Sequence, residues 1–430
     1  MFFLFFAFHI NIFAQANEET ELSLEDAVKY ALEYNLGLKK TQIDVDTSRY
    51  AEKNLWSEIF PAISASASYG YSNNLFSESK PDQNTNSYSV GFSLRLGLNA
   101  GIPLAMRNIK LAHQSNILKY EEACNLLSIQ VTKKYYSIIA ENNNIILLEE
   151  ILNLAQKQYE RSQVSFRNGL SGELAVTQSR LAYENARYNH SIAVISCINS
   201  MAEFLAMLGM DQDTRLKLTD NINIVKIDAN AEALIGQYLP GRPDIARGKQ
   251  EIESLLNTEK QTVLQRRAPS LDLSTSWRSA NFNPFTDNFS ASAALSIPLD
   301  SWIPGTSASQ NIRRVNDAVQ KAKLDLEMTE SSAKTNIRTL ASMLQNSWDS
   351  ILIARLGFEA AERRYQLTEA AFNVGAVESL ALEDARNNMA NARQRLLQSE
   401  LDYFRMILDL SAAINVDWNY LIQTYGVTGE

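Results

Sequence analysis

Four segments of the sequence alternate strictly between apolar and small polar residues. They begin near residues 62, 87, 270 and 288, and each is about 10 to 12 residues long. In the first, PAISASASYGYS, serine fills most of the even positions, and the odd positions hold Ile63, Ala65, Ala67, Tyr69 and Tyr71. Such alternation predicts β-strands with two different faces. The fold must therefore give these strands two different surroundings.

The polar face of these strands lacks the lysine and glutamate typical of a sheet face in bulk water. It is almost entirely Ser, Gly, Ala and Asn, with Arg95, Asp272 and Arg278 as charged members. Strands of about ten residues, apolar outside and small and polar inside, are typical of a transmembrane β-barrel. The alternative is two hairpins packed on a soluble helical core. For Arg95 and Arg278, pore lining and solvation of a strand end are both open.

Four strands are too few to close a barrel. An open strand edge cannot lie in lipid, because its unpaired N–H and C=O groups find no partner there. The smallest common barrels have about eight strands. The sequence therefore predicts that several chains pool their hairpins, and three chains would supply twelve strands.

The chain also contains one unit written twice. FRNGLSGELAVTQSRLAYENAR, from Phe166, matches FNVGAVESLALEDARNNMANAR, from Phe372, about 206 positions later. FPAISASASYGY, from Phe60, matches APSLDLSTSWRS, from Ala268. Each unit reads as a helix, two strands, a very long helix, a tight turn and a long returning helix.

The duplication sets the predicted boundaries. The two β-hairpins cover about 62–98 and 269–299, and the two helical hairpins cover about 103–210 and 308–412. The full division is a signal peptide at 1–16, a first structural repeat at 17–210, a joint at 211–230, a second repeat at 231–415 and a tail at 416–430.

The long helices carry apolar residues at three- and four-residue steps. After Pro103 no Gly or Pro occurs before Gly169, which allows on the order of 95 Å of helix. Steps of this kind indicate a coiled-coil seam, although a helical-bundle core would show the same steps. Gly169 and Gly375 stand where left-handed helix caps are expected. The seam positions are Val131, Tyr135, Ile138, Ile145, Leu148, Leu152, Ala155 and Tyr159, then Ile351, Ala354, Phe358, Ala361, Tyr365 and Phe372.

The N-terminus predicts export. Phe2 to Phe13 is apolar, and Ala14-Gln15-Ala16 resembles a signal-peptidase site. No Lys or Arg precedes the apolar run, so a buried apolar arm, or a start codon placed too far downstream, is the alternative. Beyond residue 16 we expect no membrane-spanning helix.

Composition excludes several functions. A net charge of −9 gives no support to a nucleic-acid partner. His113, His190, Cys124 and Cys197 stand isolated in helical pattern, and we expect structural roles for them. No phosphate loop, metal cluster or catalytic set appears. We therefore expect neither an enzyme nor a cofactor.

The duplicated order of elements, opened by LSLEDAVKYALEYN with Ser23 as a candidate N-cap, resembles the TolC-like outer-membrane efflux proteins. The two F-x-x-G tips, at Phe166–Gly169 and Phe372–Gly375, fit as well. The resemblance covers about Glu21 to Asn415. It implies a mainly α-helical fold with transmembrane β-strands: a homotrimer with a twelve-stranded barrel in the bacterial outer membrane, continued by an α-helical coiled-coil tunnel into the periplasm.

The resemblance also implies partners and a function. The partners are a periplasmic adaptor (membrane fusion) protein, an inner-membrane pump or ABC transporter, and outer-membrane lipid. The function is passive, gated export in a tripartite efflux or type I secretion system, with the cargo undetermined. The alternative is a periplasmic coiled-coil scaffold or adhesion protein without a pore.

Site residues follow from the resemblance by position. Some family members carry constriction acids six and nine residues after the second tip glycine, which here are Ala381 and Asp384, so one acid is missing. A lone acid such as Asp384 is otherwise ordinary solvated surface. The adaptor-contact candidates are Gly169, Leu170, Ser171, Gly375, Ala376 and Val377. The gate candidates are Asp384, Gln178 (its first-half equivalent), Glu173 and Glu378.

Overall fold

The computed structural model describes residues 20–72, 85–212, 214–220, 224–280 and 286–427. The signal peptide predicted at 1–16 lies outside these residues. So do most of the loop after the first predicted strand and part of the joint. Within the described ranges the chain is mostly helical, as the resemblance implies.

The chain opens with strand β1, Thr20–Leu22, and two consecutive helices, α1, Leu24–Tyr34, and α2, Leu36–Lys53. Ser23 is the N-cap of α1, and its hydroxyl accepts a hydrogen bond from the Asp26 N–H at 3.2 Å. Asn35 separates the helices. Its Oδ1 accepts from the Leu38 N–H at 3.0 Å, and its Nδ2 donates to the Met207 carbonyl at 2.7 Å. The opening segment therefore has two helices where the sequence pattern predicts one.

The rest of the chain repeats one order of elements. In the first half, β2 is Ala62–Ser72, β3 is Thr85–Asn99, α3 is Ile102–Arg167 and α4 is Glu173–Leu208. In the second half, β6 is Ser270–Ala280, β7 is Thr286–Ser296, α7 is Ser307–Asn373 and α8 is Ser379–Ile414. Between the halves lie β4, Leu216–Leu218, β5, Lys226–Ile227, α5, Ala231–Tyr238, and α6, Pro243–Arg267; α9, Trp418–Tyr425, and β8, Gly426–Val427, follow α8.

Three sheets organise the described strands. The largest has four antiparallel strands in the order β2-β3-β6-β7, so the two hairpins join through β3 and β6. Two smaller sheets involve the joint. β4 pairs in parallel with β1, and β5 pairs antiparallel with β8. The joint is therefore tied to both ends of the described chain.

The chain divides into two compact units, and each takes segments from both halves of the sequence. Unit 1 contains 1–40, 122–239 and 333–430, and unit 2 contains 41–121 and 240–332. The four-stranded sheet belongs to unit 2, whereas the tips of both helical hairpins belong to unit 1.

In unit 1, side-chain contacts connect the four long helices in the order α4-α3-α8-α7. Between α3 and α4, Lys134 pairs with Glu203 at 2.6 Å, and the rings of Tyr159 and Tyr183 stack 6.0 Å apart. Contacts from α8 reach both α3 and α7. They are the Lys133–Asp409 ion pair, the Arg393–Glu150 ion pair at 3.6 Å, and the Trp348–Tyr403 ring contact at 5.3 Å.

Two buried tyrosines fasten the small sheets to these helices. The Tyr135 hydroxyl of α3 lies 2.8 Å from both the Leu22 carbonyl and the Asp220 carboxylate. The Tyr403 hydroxyl of α8 accepts from the Ile227 N–H at 2.8 Å and donates to the Val225 carbonyl at 3.1 Å. The core of unit 1 therefore lies where the joint meets the long helices.

The predicted seam is a protected face of the long helices. Val131, Tyr135 and Ile138 are fully buried, as is Ile351, and the other seam residues are buried or half-buried. Between them, exposed positions such as Ile353 and Leu356 form other faces of α7. The three- and four-residue steps therefore mark packing within the chain.

One expectation needs correction. α4 is long and apolar enough, by length and composition, to cross a membrane, and only 22% of its most apolar window is buried. The sequence does not show a continuous apolar run in α4, because Ser, Asn and His interrupt it. A single such helix is weak evidence for a membrane span, and α4 packs side by side with α3.

Candidate functional site

The four-stranded sheet has two chemically distinct faces in register. The pairing Ser64↔Ser93, Ser93↔Ser276 and Ser276↔Ser290 carries serine across all four strands. The hydroxyls of Ser64 and Ser93 are 2.7 Å apart, and those of Ser276 and Ser290 are 2.8 Å apart. Similar serine pairs occur at Ser68–Ser89, Ser270–Ser296 and Ser274–Ser292. This face is therefore a ladder of small hydroxyl groups that satisfy one another.

The opposite face is apolar and exposed in the single chain. Its middle row is Ala65, Phe92, Trp277 and Phe289, with the Phe92 and Trp277 rings stacked 6.0 Å apart. Phe289 is 71% exposed. Since burial of apolar area is the main driving force of folding, a face of this kind requires an apolar partner.

The charged candidates lie on the serine face. Arg95 approaches Asp272 with an N–O distance of 3.7 Å; the Arg95 side chain is exposed and that of Asp272 is partly exposed. Arg278 pairs in register with Gly91 and Asn288, which places it on the same face. The structure therefore brings Arg95 and Asp272 together, while the lining of a pore by these residues stays a prediction.

Both outer strands of the sheet have a free side. Within the described residues, β2 pairs only with β3, and β7 pairs only with β6. Each strand is 11 residues long, so each presents a long row of backbone donors and acceptors. A free edge of this length is a template for another strand.

The two helical hairpins end in the same cap. Gly169 and Gly375 have φ of 72° and 77°. The Gly169 N–H donates to the Phe166 carbonyl at 2.9 Å, and the next residue, Leu170, donates to Ser165 at 2.8 Å. Gly375 and Ala376 repeat this pattern on α7, each at 2.9 Å. This pair of bonds is the Schellman cap, which closes a helix on a left-handed residue.

The tip residues predicted to contact an adaptor are mostly exposed. Leu170, Gly169, Gly375 and Ala376 are exposed, whereas Ser171 and Val377 are half-buried. The Ser171 hydroxyl is the exception at the atomic level, because it is buried and has no partner among the described residues. The tips thus present an apolar and small surface.

The gate candidates lie just beyond the tips. Glu173 begins α4, and Glu378 is the N-cap residue of α8 without a side-chain capping bond. Asp384 and Gln178 are exposed on α8 and α4. In the part of the chain that the structure describes, no hydrogen bond or ion pair joins any two of these four side chains. A single chain therefore does not assemble them into a cluster.

Sequence reasoning missed the burial of a charged residue beside the gate candidates. Arg386 is 8% exposed and interacts electrostatically with Glu383, which lies one helical turn earlier. Burial lowers the pKa of the Arg386 guanidinium, and burial raises the pKa of the Glu383 carboxyl. No motif marks this site, because burial depends on which helix covers each residue.

The structure also gives His113 contacts that its isolated position in the sequence does not predict. His113 of α3 is buried, and its Nδ1 lies 3.0 Å from the Ser48 hydroxyl while its Nε2 lies 3.5 Å from the Glu52 carboxylate. Ser48 and Glu52 are four residues apart on α2 and so share a face. His113 therefore connects two helices of unit 2 rather than standing isolated. Over the described ranges no group of three or more His, Cys, Asp or Glu is placed to hold a metal ion.

Comparison with known proteins gives a consistent result. The sequence model of the outer membrane efflux protein family matches residues 27–209 and 234–416, one match in each half. The toluene efflux pump outer membrane protein TtgC of Pseudomonas putida is 24% identical over 92% of this chain and 83% of its own length. Outer membrane protein TolC of Vibrio cholerae is 21% identical over 83% and 82%.

Solved structures share the fold at low sequence identity. The Campylobacter jejuni CmeC outer membrane channel superposes with a TM-score of 0.75, at 17% identity, over 93% of this chain and 88% of that one. The channel-forming protein CusC gives a TM-score of 0.71, at 17% identity, over 92% of each chain. These likenesses cover both units of the chain and show its fold.

Proposed function

This chain belongs to the outer membrane efflux protein family, and from that membership we propose that it forms a passive, gated channel-tunnel. It is an outer-membrane efflux protein of the TolC-like class. In our proposal, substrates pass through it across the periplasm and outer membrane, within a tripartite efflux or type I secretion system. A periplasmic adaptor and an inner-membrane pump or ABC transporter supply the docking and the energy, because the tunnel itself carries out no chemistry.

The observation that carries the proposal is the two-faced sheet with two free edges. Its apolar face suits lipid, and its serine ladder suits a crowded aqueous lumen. The free edges of β2 and β7 require partners if the sheet enters a membrane. Edge-to-edge pairing of three copies would close twelve strands into one barrel. The free edges support pooling of strands between copies, and the family resemblance implies that the copies number three.

Aromatic residues at both ends of the sheet support a membrane position. Tyr69 and Tyr71 are exposed at the hairpin end. Trp56 and Trp302 are exposed near the helix end, where the Arg267 guanidinium lies 4.7 Å from the Trp302 ring. Trp and Tyr are enriched at membrane–water interfaces, so the two groups fit the two interfaces of the outer membrane.

Exposed apolar stripes on the outermost helices of unit 1 support the tunnel. Leu181, Tyr188 and Ile195 lie seven residues apart on α4 and are exposed. On α7, Ile353, Leu356 and Leu367 lie on one exposed face. In a trimer the α4 stripe of one chain would face the α7 stripe of the next. The same contacts would wrap the long helices into one tunnel.

The gate and the docking surface belong at the tips. We place the constriction at Asp384, with Gln178, Glu173 and Glu378 nearby, because three copies of Asp384 would form a ring of carboxylates. We place the adaptor contacts at the exposed tip residues around Gly169 and Gly375. Arg95, Asp272 and Arg278 would line the lumen of the barrel.

The division of the chain remains part of the proposal. It comprises a signal peptide at 1–16, repeats at 17–210 and 231–415, a joint at 211–230 and a tail at 416–430. The pairing of β4 with β1 and of β5 with β8 supports a mixed equatorial region built from the joint and the tail.

The test combines fractionation, mass and conductance. The full chain is expected in the outer-membrane fraction, with a native mass of three copies and discrete conductance steps in planar lipid bilayers. Two variants loosen the packing of α8 on α3: Arg393→Ala and Glu150→Ala each break the ion pair between these helices. Both should raise the conductance of a closed wild-type channel.

The contrary result is equally clear. A soluble protein without conductance, in the wild type and in both loosened variants, would overturn the channel proposal. That outcome would favour the periplasmic scaffold or adhesion protein, because such a protein needs no strands in lipid.

A further inference from the structure

A cleft of about 680 Å³ lies among α3, α4 and α8 in unit 1. Its size falls in the range of about 300–1,000 Å³ that is usual for small-molecule sites. Leu147, Leu148 and Ile151 of α3 give it an apolar wall. Side-chain amides surround that wall, from Asn144, Asn185, Asn189, Asn387, Asn391 and Gln394. The cleft therefore offers both an apolar surface and many hydrogen-bonding groups.

Arg386 is the buried cation of this cleft. It is 8% exposed, and among the residues that the structure describes its Nε has no hydrogen-bond partner. Among the described residues it also forms no ion pair. Burial lowers the pKa of its guanidinium, yet arginine stays protonated in proteins. Since a desolvated charge without a counter-ion is costly, the site is incomplete as it stands.

The neighbouring carboxylate, Glu383, does not supply the missing counter-ion. Glu383 lines the same cleft one helical turn away, but its carboxylate makes no ion-pair contact with Arg386. Burial, reinforced by Asp384, raises the pKa of Glu383 despite the attraction of Arg386. Tyr365 of α7 is the other titratable group that acts on the guanidinium. The remaining polar groups of the cleft are neutral, and one of them, the Asn144 Oδ1, is also buried without a partner.

Comparison of the two repeats shows that the burial of Arg386 is specific to the second repeat. Arg180 on α4 is the position equivalent to Arg386 in the sequence duplication, and its side chain is exposed. The repeat therefore supplies an arginine in both halves, but the structure encloses only the second. The enclosure of Arg386 therefore comes from the helices packed around it and not from the repeated sequence.

We propose that this cleft binds a small organic carboxylate with an apolar body, held by Arg386. The planar guanidinium matches a carboxylate with two parallel N–H donors. The leucine and isoleucine wall accommodates the apolar body, and the amides of α4 and α8 bind its remaining polar groups. The inference concerns a site in one chain and does not rest on the barrel, the trimer or the gate.

The test uses an acid and its neutral isostere. Naphthalene-2-carboxylate and naphthalene-2-carboxamide are titrated into the full chain in detergent, and heats of binding give the two Kd values. We expect the carboxylate to bind at least tenfold more tightly than the amide. Arg386→Gln should abolish that preference, while Arg180→Gln, the matched control, should leave both Kd values within twofold.

Two further variants keep the test decisive if Arg386→Gln fails to fold. Arg386→Lys retains the charge without the planar fork and should weaken carboxylate binding severalfold. Asn387→Asp adds a negative charge to the cleft wall and should weaken carboxylate binding while sparing the amide. Arg386→Gln is also expected to unfold at the same or a higher temperature, because it removes a buried charge without a counter-ion. A lower unfolding temperature would instead indicate that the guanidinium has a purely structural role.

The proposal fails if the acid and the amide bind equally. It also fails if neither binds at millimolar concentration, or if carboxylate affinity is the same in the wild type and in the Arg386 variants. Conductance of each variant is recorded in parallel. A loss of binding with conductance intact separates this site from the channel function.

Discussion

Gly169 and Gly375 occupy a backbone conformation that other residues enter at a cost. Their φ values of 72° and 77° are left-handed, and no atom outside the adjacent residues lies within 4 Å of where a Cβ would stand. The requirement for glycine is therefore conformational and not steric. Replacement by Ala should destabilise the hairpin tip by about 1–2 kcal/mol, through left-handed strain alone. Chemical denaturation of each variant measures this loss.

The matched control is Gly357→Ala. Gly357 lies within α7 and also has free space around it, but it occupies a right-handed helical position. We expect no loss of stability there, because alanine is the better helix former. A similar loss for Gly169→Ala and Gly357→Ala would show that the left-handed cap is not the cause.

The buried hydroxyl of Tyr136 should make the free energy of unfolding depend on pH. Burial raises the pKa of its hydroxyl to about 12, and Asp220 and Tyr135 add to the rise. The unfolded value is near 10, so the folded state holds this proton more tightly. The stabilisation is complete below about pH 10 and is lost as pH rises towards 12, with a maximum of about 2.7 kcal/mol for two pKa units.

The measurement compares wild type with Tyr136→Phe. Between pH 8 and 11.5 the free energy of unfolding of the wild type should fall by about 2 kcal/mol more than that of the variant. Other groups titrate in both proteins and cancel in the difference. Parallel pH curves would refute the assignment to Tyr136.

Local residue roles were predictable where local chemistry decides them. Ser23 was identified as an N-cap and the two tip glycines as left-handed caps, because each depends on neighbouring backbone only. The burial of Arg386 and the contacts of His113 were not predictable. Arg180 and Arg386 are equivalent in the duplication, yet only the helix packed above each one determines its exposure.

At the scale of elements, the two faces of the sheet make a testable contrast. Phe289→Arg places a charge in the middle of the apolar face, where lipid contact should cost about 2–4 kcal/mol. Ser290→Arg places the same charge one residue away on the serine face, opposite Ser276. We expect the first variant to lose trimer from the outer membrane and the second to retain it.

Quantification of the native trimer in membrane fractions decides the outcome. Equal recovery of the two variants would contradict a lipid-facing apolar surface. It would agree with a sheet that meets water or protein on both faces.

Elements followed from periodicity only where they are long. Period-two alternation predicted β2, β3, β6 and β7, and three- and four-residue steps predicted the seam of α3 and α7. The two- and three-residue strands β1, β4, β5 and β8 are too short for any period to appear. The β3–β6 pairing also cannot be predicted from the sequence, because it joins segments that are far apart in the chain.

At the scale of the whole molecule, Asp384 acquires a role only if three chains meet. One carboxylate on an exposed helix face binds cations weakly, whereas three around a narrow pore attract multivalent cations strongly. Asp384→Ala should therefore reduce block of the conductance by a trivalent cation at least tenfold. Glu25→Ala removes an equal charge from an exposed position of α1 and should leave block unchanged. Unchanged block in Asp384→Ala would remove this residue from the gate.

The free edges of β2 and β7 have a genetic consequence. In the proposed trimer, every β2 edge would have to meet a neighbouring β7 edge, so one faulty edge would leave the ring open. A variant with a blocked β7 edge, expressed beside an equal amount of wild type, would spare only about one ring in eight under random mixing. Such alleles should therefore be dominant, and a cell carrying one good copy of the gene would still lose most of its export.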